Sequence, residues 1–259
     1  MASSPTAGHT LVRVEHLGFA YPHHRPVLHD LHLEVHRGVT LLLGLNGAGK
    51  STLFNIMLGK FAPTAGTVSV LDGLVTPGTP TAITTSRVGF LPQAFGFPPR
   101  VSALDFVTYI GWLRGLTWSD GRTRARQILR RVDLGPLDDR PLGELSGGML
   151  RRVGIAQALV HDPDLVLLDE PMAGLDPAQR IEVRDLLVEE ARHRSFLIAT
   201  HILDDIERLA DEVVILHDGR AVFAGSPSSL AGISSDHRDG VTAWEAAFLQ
   251  LTGPNRGTP

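Results

Sequence analysis

Eight consecutive residues, Gly44-Leu45-Asn46-Gly47-Ala48-Gly49-Lys50-Ser51, fit the spacing G-x-x-x-x-G-K-[ST]. The chemistry this spacing supports is the binding of a phosphate chain. The glycines let the backbone N–H groups of Gly44, Asn46, Gly47, Ala48 and Gly49 curl around an anion. A following helix would add a field that favours negative charge at its N-terminus, next to Ser51 and Thr52. Lys50 would reach the β- and γ-phosphates, and the Ser51 hydroxyl would ligate Mg²⁺. Lys50 and Lys60 are the only lysines among 24 Lys and Arg residues, so one of the two stands in this loop.

A second constellation lies further along. Leu165-Val166-Leu167-Leu168 is an apolar run that ends in Asp169-Glu170. Ligands of open α/β sheets bind beyond the carboxyl ends of strands. Asp169 would hold Mg²⁺, directly or through water, and Glu170 would orient and polarise the attacking water as a general base. Alone, Asp169-Glu170-Pro171 is equally readable as the start of a solvated loop. Ser146-Gly147-Gly148 precedes Leu150, Val153, Ala156 and Leu159 at helical spacing, so Ser146 is a helix cap. Asp176 before Pro177 is an N-cap followed by proline at N1. His201 follows the apolar stretch Phe196 to Thr200.

These residues need elements to hold them. Thr40 to Leu43, Val166 to Leu168 and Ile198-Ala199 are short apolar runs, the pattern of strands buried on both faces of a parallel sheet. Helical spacing separates them, with Ile181, Leu186 and Leu187 after Pro177 and Ile202, Ile206 and Leu209 after His201. Alternating strands and helices predict a doubly wound α/β core. From about Val101 to Leu142 the chain is Arg-rich, with Leu104, Val107, Ile110 and Leu113 expected on one helix face. Val213 to Leu216 and Ala221 to Phe223 flank Asp218-Gly219, a hairpin signal. His23, His24, His29, His32 and His36 cluster near the N-terminus. Leu31, Leu33 and Val35 alternate with His32, Glu34 and His36, which predicts a strand with a solvated outer face rather than a metal site.

Leu145-Ser146-Gly147-Gly148-Met149 resembles the signature sequence of ABC (ATP-binding cassette) ATPases, which separates that family from other P-loop NTPases. Further motifs are similar to the family's and stand in its order. Tyr21, in Phe19-Ala20-Tyr21-Pro22, matches the aromatic residue that stacks on adenine. Gln93, in Leu91-Pro92-Gln93, matches the glutamine between core and helical insert. Gly174-Leu175-Asp176 matches the D-loop, and His201 the switch histidine. The resemblance covers residues from about 11 to 225. It departs at Met149, where the family usually has Gln and where Met lacks the amide hydrogen bonds.

The resemblance implies an α/β fold: a P-loop NTPase core with a parallel sheet, an N-terminal antiparallel β region and an inserted helical subdomain at about 97–160. One domain would span 11–252, with flexible segments at 1–10 and 253–259. ATP and Mg²⁺ are the implied ligands. Lys50, Glu170 and His201 would be catalytic, and Ser51, Gln93 and Asp169 would surround the metal. Tyr21, Gly44, the stretch from Asn46 to Thr52, and Gln93 would contact the nucleotide in one protomer. Ser146, Gly147, Gly148 and Asp176 would meet the nucleotide held by a second protomer, in a homodimer or heterodimer. The segment from Trp244 to Gly253, with Leu145 to Leu159, looks like exporters of the ABC-2 or multidrug type. A separate membrane-spanning permease is then the expected partner, with the chain on the cytoplasmic side of the membrane.

The bulk properties bear on the rival functions. A formal net charge of −4 lacks the basic excess of a nucleic-acid binder. No apolar run approaches the roughly 18 residues that span a bilayer, and Met1 to Thr10 lacks the apolar core of a signal peptide. With no cysteine, disulfides and thiolate metal sites are excluded. A non-transport ABC ATPase, acting on nucleic acid or a cell-envelope complex, is the alternative. Its chromosome-organising members carry long coiled coils between the nucleotide motifs, and no sustained heptads occur here. A P-loop kinase or GTPase would leave Ser146 to Gly148 unexplained.

Overall fold

The computed structural model describes residues 10–75, 86–234 and 242–253. The expectations for 1–9 and 254–259 therefore lie outside the described residues. In chain order the strands are β1 (Val12–Ala20), β2 (Pro26–Val35), β3 (Val39–Leu43), β4 (Ala65–Val70), β5 (Gly73–Leu74), β6 (Val88–Leu91), β7 (Leu165–Asp169), β8 (Ser195–Thr200), β9 (Glu212–His217) and β10 (Arg220–Gly225). The helices are α1 (Lys50–Met57), α2 (Ala103–Leu113), α3 (Trp118–Arg131), α4 (Gly147–Leu159), α5 (Pro177–Glu190), α6 (Ile206–Leu209), α7 (Pro227–Ala231) and α8 (Ala243–Thr252).

Two sheets form. One is antiparallel, in the order β2-β1-β4-β5. The other has the order β10-β9-β3-β8-β7-β6. Its strands are parallel except β10, which returns from β9 as an antiparallel edge. The turn between them is Asp218-Gly219, and both residues have positive φ (44° and 71°), as a tight hairpin turn with the right twist requires.

The apolar runs sit in the parallel sheet because both of its faces are covered. Side chains alternate between two cores, since successive residues of a strand point to opposite faces. Leu41, Leu43, Val166, Leu168 and Ile198 pack with the inserted helices, against Leu104, Val107 and Val153. Leu42, Leu165, Leu167, Leu197 and Ala199 pack with α1 and the antiparallel sheet, against Phe54, Leu31 and Leu33. The sheet is thus the wall to which the helical insert and the N-terminal β region are both fastened. Leu31, Leu33 and Val35 are buried while His32 and Glu34 are exposed, as the alternation predicted.

Three spacing-based expectations are corrected. Leu113 is half exposed rather than inward, alongside the exposed rings of Tyr109 and Trp112. The buried stripe of α2 runs through Leu104, Val107 and Gly111 instead, because Gly111 lets the Leu116 side chain and Val160 of the segment after α4 pack closely there. Ile181 of α5 is also exposed, while Val183 and Leu187 face the core. After His201 the chain makes a 3₁₀ turn at Leu203–Asp205 and only then the single-turn helix α6, so Ile202 precedes any helix.

Candidate nucleotide site

The loop between β3 and α1 has the backbone its glycines were expected to permit. Gly47 and Gly49 adopt φ of 85° and 106°, a region that side chains disfavour. A Cβ on Gly49 would lie 2.7 Å from Leu28 Cδ2, so that glycine is also required by packing. A Cβ on Gly47 would meet nothing within 4 Å, because that position faces an open cavity. The cavity has a volume of about 430 Å³, within the usual range for small-molecule sites.

Most of the predicted residues line this one cavity: Tyr21, the loop from Asn46 to Thr52, Gln93, Asp169 and Glu170. They arrive from the ends of β1, β3, β6 and β7. Leu45 and Val27 also line it, and neither was singled out from the sequence. Gly44 lies just behind. Its carbonyl accepts from Lys50 Nζ at 2.5 Å, and a Cβ there would strike Leu216 O at 2.5 Å.

Electrostatics concentrate on three buried groups. Lys50 Nζ stands 3.7 Å from Glu170 Oε1. Burial pulls the Lys50 pKa below the usual lysine range, and the carboxylates of Glu170 and Asp169 oppose that pull. Burial raises the Asp169 pKa, the Ser51 hydroxyl that hydrogen-bonds it counters this, and the neighbouring Glu170 charge adds to the rise. Glu170 itself sits at φ 51°, a strained conformation for a non-glycine residue, of order 1–3 kcal/mol. Its N–H donates to Ala199 O at 2.8 Å, which pins it to β8.

His201 is not among the cavity-lining residues, yet it is joined to it. Its Nδ1–H donates to Glu170 Oε2 at 2.9 Å. That bond occupies Nδ1 and leaves Nε2 as the free ring nitrogen.

The remaining predicted residues lie away from this cavity. Ser146 caps α4, its Oγ accepting from Met149 N at 3.3 Å, and both Ser146 and Gly147 are exposed. Asp176 caps α5 in a reciprocal box with Gln179 and is exposed as well. A Cβ on Gly148 would fall within 2.7 Å of three Gln179 side-chain atoms, so this glycine is what lets the two helix starts nest together. An exposed, capped helix N-terminus such as that of α4 can receive an anion from outside the chain.

Comparison with known proteins decides the family. A family described as "ABC transporter" matches residues 28–173. The chain is 35% identical over 221 residues to YxlF of Bacillus subtilis, an uncharacterized ABC transporter ATP-binding protein, covering 85% of this chain and 72% of that protein. The chain belongs to the ABC transporter ATP-binding family. It is 37% identical over 193 residues to Nod factor export ATP-binding protein I of Burkholderia lata, covering 73% of this chain but 62% of that protein. Among solved structures, an ATP-binding subunit of an ABC transporter aligns with a TM-score of 0.79 at 27% identity, over 93% of this chain and 99% of that one. The cbiO1 subunit of Clostridium perfringens, part of the cbiONQ complex, aligns with a TM-score of 0.74 at 30% identity, over 86% and 91%. An ABC cassette binds and hydrolyses ATP, and the α/β core, antiparallel region and helical insert expected for one are all present.

Two residues of the ABC signature helix stand out. Met149, in place of the usual Gln, is partly buried and packs against the core. It fills space that an amide would have to share with apolar neighbours. We therefore expect Met149→Gln to leave the ATP turnover rate within a few-fold. A gain of orders of magnitude in a phosphate-release assay would show that Met149 holds the cassette in check. Arg151, two residues on, was not singled out from the sequence. It is buried, with hydrogen bonds to five carbonyl groups, three of them those of the cavity residues Gln93, Asp169 and Glu170. An arginine after a Gly-Gly-Met-Leu run carries no pattern that reveals this.

Proposed function

We propose that this chain is the ATP-hydrolysing subunit of an ABC exporter, driving transport through a separate membrane-spanning permease. The observation that carries the reading is the convergence of the glycine loop, Lys50, Ser51, Asp169 and Glu170 on one cavity. The direction of transport rests on relatives named for Nod factor export and on the likeness of α4 and α8 to exporter cassettes. Among the described residues no helix is long and apolar enough to cross a membrane. A peripheral seat on the cytoplasmic face, through the permease, fits that observation.

The roles follow from position. The N–H groups of the loop from Asn46 to Ser51 would hold the phosphates, with the N-terminus of α1 behind them. Lys50 would exchange its contact with the Gly44 carbonyl for the β- and γ-phosphate oxygens. The donor set suits Mg²⁺, since the Ser51 hydroxyl, the Asp169 carboxylate and Gln93 line the same cavity. Two carboxylates beside a polyphosphate would also repel it without a divalent cation. Bound there, the ion would neutralise phosphate charge. Glu170 would take a proton from the attacking water. With both ring nitrogens protonated, His201 would hold that carboxylate through Nδ1–H and donate Nε2–H to the γ-phosphate. Ser146, Gly147, Gly148 and Asp176 would close the site of a second cassette.

Tyr21 would stack on the adenine. Its ring is held edge-on by Phe19 and Phe61 at 5.0 and 5.7 Å, and its hydroxyl lies 3.1 Å from Thr52 Oγ1. Tyr21→Ala should weaken ATP binding by about 1 kcal/mol or more, the scale of one aromatic contact. Tyr21→Phe should keep most of the affinity. Equal affinity for wild type and Tyr21→Ala in a calorimetric titration would remove Tyr21 from the site. The transport reading is tested by purification from the native membrane. A multi-span membrane protein should copurify with the chain, and copurification with nucleic acid alone would contradict the reading.

A further inference from the structure

Arg151 lies on α4 with 8% of its surface exposed. Its guanidinium bonds two chain segments that are far apart in sequence. On one side, Nη1 donates to Gln93 O at 3.0 Å and to Pro92 O at 3.3 Å. On the other, Nε donates to Pro171 O at 2.9 Å, and Nη2 donates to Asp169 O at 2.7 Å and also to Glu170 O. The first segment leads from β6 into the helical insert. The second is the end of β7, which carries the candidate metal ligand and the candidate base.

The Glu170 carbonyl is the more telling acceptor. Glu170 has left-handed backbone, and such a conformation persists only where its surroundings over-determine it. Arg151 supplies one of those constraints, and the Ala173 N–H, 3.1 Å from the same carbonyl, supplies another. Burial lowers the Arg151 pKa to about 10, against the opposing pull of Asp169 and Glu170, so the group stays cationic at neutral pH. Only a planar fork with five N–H donors reaches both segments at once. Lysine offers three donors on one atom, and glutamine two.

We propose that Arg151 is a positioning residue for hydrolysis, tying the Gln93 main chain to the Asp169-Glu170 main chain so that both face the γ-phosphate as one unit. This rests on the reading of the cavity as an ATPase site. None of the five acceptors belongs to the loop at 44–51 that holds the phosphates, so Arg151 bears on the rate more than on the grip on nucleotide. Because the tie passes from α4 and the helical insert to Glu170, a shift of the insert is felt at the base.

The test uses Arg151→Lys and Arg151→Gln in the chain assembled with its membrane partner. The first keeps the charge, and the second keeps two N–H donors without a buried charge. Each should lower kcat by about ten- to a hundredfold, the scale of a displaced catalytic group, with KM for ATP changed less than about threefold. In a Glu170→Gln background, Arg151→Lys should add little further loss of rate, because it acts through Glu170. A kcat equal to wild type, a KM that rises as kcat falls, or losses that multiply in the double variant would each overturn the proposal. A wild-type chain without ATP turnover would instead overturn the ATPase reading beneath it.

Discussion

Lys50→Ala should show no ATP binding in a calorimetric titration under conditions that saturate the wild-type chain. Lys50 is buried, donates to the Gly44 carbonyl and pairs with Glu170. Alanine would leave the phosphates without the Lys50 cation and would remove that ammonium from beside the buried Glu170 and Asp169 carboxylates. Truncating one member of a buried, hydrogen-bonded charge pair costs about 2–5 kcal/mol. That is a factor of about 30 to several thousand in the dissociation constant. The effect should exceed that of Tyr21→Ala about fivefold or more, because a ring contact is weaker than a desolvated charge. Saturable binding by Lys50→Ala with native affinity would show that this loop does not hold the phosphates.

The part of the site legible in sequence is the part where backbone geometry dictates residue type. A loop that needs positive φ at Gly47 and Gly49 writes glycine into the chain. A strand buried on both faces writes an apolar run, and its end marks where Asp169 and Glu170 emerge. The Asp218-Gly219 hairpin and the alternation of β2 were legible for the same reason. Arg151 was not, because its partners are main-chain carbonyls, which every residue possesses. That Ser51 and Asp169 share one cavity was reachable only through the joint reading of two motifs. Helical spacing identified α2 and α5 but not which edge of each stripe faces outward. That is decided by the neighbouring element, as the close packing at Gly111 shows. The antiparallel order β2-β1-β4-β5 was also hidden, since exposed, polar β4 positions such as Gly66 and Thr67 give no buried-strand signal.

Glu170→Gln should separate binding from chemistry. The carboxamide is nearly isosteric and still fills the space between Lys50 and His201, so the phosphate loop and Lys50 keep their grip. It cannot take a proton from water, and general-base assistance is worth about 10²–10⁴ in rate. ATP bound at Lys50 would then persist, and with it the contact that Ser146 of a second copy makes across the interface. Ser146→Arg in the same background should abolish that contact, because it places bulk and charge at the exposed N-terminus of α4. Where the permease is needed for closure, the same comparison is made in the assembled complex. The most direct test of the account is therefore the molecular mass of Glu170→Gln with ATP and Mg²⁺, measured together with phosphate release. The account predicts an ATP-dependent pair of cassettes that releases almost no phosphate and falls apart with Ser146→Arg. Phosphate release by Glu170→Gln at the wild-type rate would contradict it.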